Sequence, residues 1–176
     1  MTMQEVILVN ESDQAIGSME KMEAHRKALL HRAFSVFIFN SKGEMLLQQR
    51  ADSKYHSAGL WTNACCSHPA PGEEILSSAQ KRLREELGFS VDLEPAFSFT
   101  YRSEFSNGLT EHEFDHVFIG TYNGSVQPNP DEVKDYAYRN LNDISALAES
   151  DPDQFTSWFL IAFPRLKKWM EKRNSN

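Results

Sequence analysis

The chain has 176 residues, 24% of them charged and 40% hydrophobic, with 12 phenylalanines and a net charge of −7. That composition excludes wholesale disorder and fits one soluble domain over 1–176. The acidic balance disfavours a general nucleic-acid binder, which usually carries a basic surplus. The longest apolar stretch, around Phe34 to Phe39, is far short of the roughly 20 residues a membrane span needs. The first residues have no basic segment before an apolar core, so no secretory signal is expected. The two cysteines, Cys65 and Cys66, are adjacent and poorly placed to pair with each other. Free thiols point to a reducing, cytoplasmic setting.

The expected elements alternate along the chain. Val6 to Val9 reads as a short strand. Ala33 to Phe39 and Met45 to Gln49 flank Asn40-Ser41-Lys42-Gly43, a hairpin signature. Ile75, Leu76, Ala79, Leu83 and Leu87 recur every three or four residues, which predicts a helix stopped by Gly88. Ala96 to Tyr101, Phe114 to Tyr122 and Val133 to Arg139 read as strands, and Leu141 to Ala148 as a short helix. An apolar stripe from Phe155 to Met170 predicts a closing helix that Pro164 should kink or break. The expected class is α+β, a mixed sheet between helices.

Histidines stand at 25, 31, 56, 68, 112 and 116. His25 and His31 precede the first core strand, and His68 follows Cys66 by two positions. Glu111-His112-Glu113 comes just before a predicted strand. Alternation would turn both carboxylates to one face and His112 to the other. Two neighbouring carboxylates repel unless a cation or proton lies between them. Imidazole and carboxylate together suit Mn²⁺, Fe²⁺, Zn²⁺ or Mg²⁺. A zinc module built on Cys65, Cys66 and His68 is disfavoured, because adjacent cysteines are poor spacing for tetrahedral zinc.

From Ser67 to Phe89 the spacing resembles a Nudix box: a small residue, then Glu73, then a basic and acidic run ending at Gly88. It departs from that pattern in two places. Ser67 stands for glycine, and Lys81-Arg82 stands for Arg-Glu, while Glu85 and Glu86 are retained. Arg82 removes a carboxylate that Nudix hydrolases use to bind metal and activate water. The box therefore argues for the fold and a diphosphate ligand, and against hydrolysis.

Nearly end to end, the chain resembles the type 1 isopentenyl-diphosphate isomerases, which are Nudix-fold enzymes. Glu20-Lys21, His25, His31, Arg50 to Lys54, Trp61-Thr62-Asn63, Cys66-Ser67-His68-Pro69, Tyr101-Arg102, Glu111-His112-Glu113 and Trp158 carry the likeness. The resemblance implies a reversible double-bond shift between isopentenyl and dimethylallyl diphosphate, with acid and base on opposite faces of the substrate. It implies Cys66 on one side and Glu113 on the other, with the Tyr101 hydroxyl near Glu113 and Trp158 facing a carbocation. It implies Mn²⁺, Zn²⁺ or Mg²⁺ on His25, His31, His68, Glu111 and Glu113. Lys21, Arg50, Lys54 and Arg82 would receive the diphosphate, and Glu86 would hold a Mg²⁺ that arrives with it. Cys65 is expected to be a small buried apolar side chain pointing away. The competing reading is a Nudix hydrolase of another diphosphate. The sequence leaves the oligomeric state open.

Overall fold

The apolar stretch around Phe34 to Phe39 is a strand covered on both faces, which is why it reads as nearly continuous rather than alternating. The computed structural model describes residues 3–176. Its elements are β1 (Glu5–Val9), β2 (Ala15–Glu20), α1 (Lys21–Arg26), β3 (His31–Phe39), β4 (Met45–Arg50), β5 (Trp61–Thr62) and β6 (Cys65–Ser67). There follow α2 (Ile75–Leu87), β7 (Glu94–Glu104), β8 (Thr110–Thr121), β9 (Val133–Arg139), α3 (Leu141–Ser150) and α4 (Ser157–Asn174).

The sheet is mixed. β3 and β8 run parallel from His31↔Glu113 to Phe39↔Thr121, and the other pairs are antiparallel. Two cores lie on its two faces. Phe34, Val36 and Ile38 meet Ala79, Leu83 and Leu87 of α2, whereas Phe37 meets Phe159, Ala162 and Leu166 of α4. Burying one such leucine side chain is worth about 1.5–3 kcal/mol. The expected α+β class with helices on both faces is what the chain forms.

Local chemistry explains the element ends. Asn40 turns the β3–β4 hairpin by accepting from the Lys42 and Glu44 amides, both at 3.0 Å. The Glu74 carboxylate caps α2 by accepting from the Leu76 and Ser77 amides at 2.9 and 2.8 Å. Gly88 ends that helix at φ 75°. A Cβ there would lie 2.5 Å from the Gln127 carbonyl oxygen, because the loop before β9 packs against the helix end.

Two expectations need correction. Pro164 does not break the closing helix, and α4 runs through it to Asn174. Pro164 lies on the exposed face, where water can serve the carbonyl left without an amide partner. Glu111-His112-Glu113 lies inside β8 rather than before it. The alternation holds there: both glutamates are buried, and His112 turns away to the Ala28 carbonyl at 3.1 Å. Finally, β2, α1, β5 and β6 went unread. β2 is mostly exposed, and the others are too short to show a period.

Gly88→Ala should destabilise the fold by about 1–3 kcal/mol from backbone strain alone, before the clash with Gln127 is added. Urea unfolding midpoints of the two proteins check this.

Candidate active site

Strand register gathers the site. His31 pairs with Glu113 across β3 and β8, and Glu113 pairs with Tyr101 across β8 and β7. Side chains opposite one another in a sheet share a face. On the other edge of β3, Ser35 pairs with Cys66 of β6. A strand has two edges, and β8 takes one along the whole of β3. Cys66 and Glu113 therefore reach the site from opposite sides of β3.

Cys66, Glu113 and Tyr101 border a cavity of about 220 Å³ that also touches Lys21, Arg50, Lys54, Arg82, Glu86 and Trp158. His68 and Glu111 line it as well. The two thiols separate by strand alternation. Cys65 is fully buried on the α2 side, whereas Cys66 is partly buried and borders the cavity.

His25 comes from α1, His31 from β3 and His68 from the segment after β6. Each offers a ring nitrogen, and the three atoms lie within 4.8 Å of one another. Both nitrogens of His25 and Nε2 of His31 are buried without a hydrogen-bond partner. Orphaned buried nitrogens are costly, and a divalent cation would satisfy one on each ring. Burial, then His68 and His31 beside it, hold His25 down to about 3, so it is neutral at pH 7 with its lone pair free.

Glu113 joins this group, with Oε2 2.7 Å from His68 Nε2 and 3.5 Å from His31 Nε2. Burial favours its neutral form, but His68 and His31 outweigh burial and hold the carboxyl well below the usual range. Glu111 stands apart from the histidine trio. Its Oε1 is 3.1 Å from His56 Nε2, and its Oε2 accepts from the Tyr101 hydroxyl at 2.9 Å. Tyr101 also meets Glu113 Oε1. One hydroxyl proton cannot serve two carboxylates, so this cluster calls for a shared proton or a cation. The donor set of imidazoles and carboxylates fits a divalent metal.

Cys66 Sγ donates to Asn63 Oδ1 at 3.2 Å and lies 3.4 Å from Ser35 Oγ. Ser35 in turn donates to Asp115 Oδ2 at 2.6 Å. Burial, and then Asp115, push the thiol up, so Cys66 keeps its proton at neutral pH. Trp158 is buried on α4, with the Arg50 guanidinium 5.1 Å from its ring centre.

At the cavity mouth Lys21 Nζ donates to Gln4 Oε1 at 3.0 Å, and Arg50 donates to the His56 carbonyl at 3.2 Å. Arg82 lies 3.5 Å from Glu86 Oε1, and Glu86 Oε2 is buried with no partner. Lys54 and Arg82 both pair with Glu132.

Every residue expected to carry protons, hold metal or receive the diphosphate borders this cavity or belongs to the histidine trio. Ser35, Asp115, His56 and Glu132 were missed. Two of these had a signal: Ser35 is a polar residue in an otherwise apolar stretch of β3, and Asp115 continues the two-residue alternation of Glu111 and Glu113 along β8. Glu132 had none, because its role depends on a long-range fold of its loop.

The NUDIX domain family model matches residues 29–159. A Deinococcus radiodurans crystal structure shares the fold, with a TM-score of 0.78 at 20% identity over 92% of this chain and 98% of its own. A MutT protein from Methanosarcina mazei does so with a TM-score of 0.66, also at 20% identity, over 79% of this chain and 94% of its own. These define a Nudix-fold protein. Sequence similarity is narrower. The isopentenyl-diphosphate Delta-isomerase of Pectobacterium atrosepticum is 51% identical over 97% of this chain and 96% of its own. That of Serratia proteamaculans is 50% identical over 88% and 87%. The chain belongs to the isopentenyl-diphosphate Delta-isomerase family.

The different placement of the thiols gives a direct test. Iodoacetamide should modify Cys66 slowly in the folded protein and leave Cys65 unmodified until unfolding, as read by peptide mass spectrometry.

Proposed function

We propose that this chain interconverts isopentenyl and dimethylallyl diphosphate by adding a proton at one carbon and removing one from another. The observation that carries the reading is the entry of Cys66 and Glu113 from opposite edges of β3 into one cavity. An unactivated alkene is a weak base, and its protonation leaves a tertiary cation. Such chemistry needs a held acid, a held base, cation stabilisation and little free water.

Cys66 and Glu113 are the proton carriers on the two sides of the five-carbon chain. Cys66 is a protonated thiol fixed toward Asn63. The Tyr101 hydroxyl bridges Glu111 and Glu113, so a proton on that carboxylate pair has a hydrogen-bonded place to reside. The buried Trp158 ring presents π density to the cationic carbon and helps exclude water.

His25, His31 and His68, with Glu113 and its neighbour Glu111, are the residues that would hold a divalent metal. When bound there, the metal supplies positive charge that tunes the acidity of the Glu113 carboxyl. Lys21, Arg50, Lys54 and Arg82 bind the diphosphate: guanidinium as a planar fork, ammonium as a point charge. Glu86, with one oxygen unpartnered, would hold Mg²⁺ brought with the substrate. The mixed imidazole and carboxylate set suits Mn²⁺, Zn²⁺ or Mg²⁺. No membrane and no nucleic acid are needed for this reaction. Among the described residues no helix is long and apolar enough to cross a membrane. We place the activity in the cytoplasm, where free thiols persist.

Incubation with isopentenyl diphosphate in D₂O should yield deuterated dimethylallyl diphosphate by NMR. Release of inorganic phosphate or isopentenyl monophosphate instead would favour a hydrolase. Cys66→Ala should lower kcat by at least about 10²-fold, the low end for losing a positioned proton donor or acceptor. Its metal content should be unchanged, since its side chain is not among the ligands. His68→Ala should reduce bound metal in the purified protein, read by elemental analysis. Full metal content in His68→Ala would remove the histidine trio from that role.

A further inference from the structure

Glu132 sits among the cations of the cavity mouth. Its Oε2 is 3.0 Å from Arg82 Nη2 and also pairs with Lys54 Nζ. The backbone around it is tied down on both sides. The Gln127 and Asn129 amides donate to the Leu87 and Glu86 carbonyls at 3.0 and 2.8 Å, and the Ala51 amide donates to the Glu132 carbonyl at 3.0 Å. The side chain itself keeps 23% exposure, so it has a path outward to water.

One oxygen bridging a guanidinium and an ammonium is how a phosphate oxygen is held. The surrounding cations crowd one another. Burial, and then the charges of Lys54 and Arg82, lower the Lys21 pKa. An anion among them relieves that repulsion in the ligand-free protein. A diphosphate brings its own negative charge to the same groups, and Glu132 beside it would repel it.

We propose that Glu132 is an internal anion that takes the place of a diphosphate oxygen on Lys54 and Arg82 and is displaced when the diphosphate binds. This rests on the reading that those cations receive the diphosphate. Glu132 keeps the mouth neutralised when empty, weakens binding, and recaptures Lys54 and Arg82 as product leaves. A residue that only supported the fold would weaken binding when changed. Glu132 is expected to do the reverse.

The test is calorimetric titration with inorganic pyrophosphate and Mg²⁺. Glu132→Gln should bind roughly three- to tenfold tighter than the unaltered protein, as expected for removing a competing, partly exposed ion pair. Its ligand-free Tm should fall and recover when pyrophosphate is added, and KM for the isoprenoid substrate should fall with it. Glu132→Asp, which withdraws the carboxylate by one methylene, should shift affinity the same way by less, and serves if the glutamine variant does not fold. Lys54→Met should weaken pyrophosphate binding. Equal or weaker binding by the Glu132 variants, with Lys54→Met still weakened, overturns the displacement while leaving the diphosphate site intact. Absence of pyrophosphate binding to the unaltered protein, or no effect of Lys54→Met, overturns the diphosphate site and this proposal with it.

Discussion

The parallel pairing of β3 with β8 is the constraint on which the site depends. It sets His31 opposite Glu113, and the next pairing sets Glu113 opposite Tyr101. Parallel strands distant in sequence find their register through the apolar residues that alternate beneath them. Here Phe37 and Val117 share the α4 core, while Val36 and Phe118 share the α2 core. A slip of β8 by one residue against β3 would exchange its two sets between faces and turn Glu111, Glu113 and Asp115 toward the α2 core. Hydrophobic burial thus pays for the placement of side chains that are themselves costly to bury.

Those costly groups are concentrated at one end of the sheet. His25, His31, Glu86, Glu111, Glu113 and Asp115 are all buried. Such groups persist where each has a partner or where a ligand supplies one. Among them, nitrogens of His25 and His31 and one oxygen of Glu86 have no hydrogen-bond partner. The cavity is lined by the Cys66 thiol, buried carboxylates and a buried indole, and by the half-buried cations Lys21, Arg50, Lys54 and Arg82. That mixture suits a substrate that is apolar at one end and strongly charged at the other.

The sequence was legible where one signal sufficed. The α2 period and Gly88 marked that helix within its actual bounds, and β9 matched from Val133 to Arg139. The histidines, Cys66 and the basic residues were expected together because separated motifs kept the order of a known family. The position of Glu111 was less legible. It shares a face with Glu113 as alternation requires, yet in the fold it is held by His56 and Tyr101. Nothing local to Glu111 reveals His56, which arrives from a loop between β4 and β5. Pro164 does not break α4 as one of its two expected outcomes had it, because on the exposed face water can replace the lost hydrogen bond. Asn63 was visible as part of a motif, but its hydrogen bond to Cys66 was not, since that depends on the turn between β5 and β6.

The adjacent thiols have a further consequence. Because Cys65 and Cys66 point to opposite faces of β6, a one-residue shift of this strand against β3 would still deliver a thiol to the cavity. The sulfur would be conserved by duplication, but His68 would not. It would rotate away from Glu113, and the trio with His25 and His31 would lose a member. The imidazole two residues downstream, rather than the thiol, is what distinguishes the working alignment of this strand from its neighbour. Selection on the position of sulfur alone could not tell the two apart.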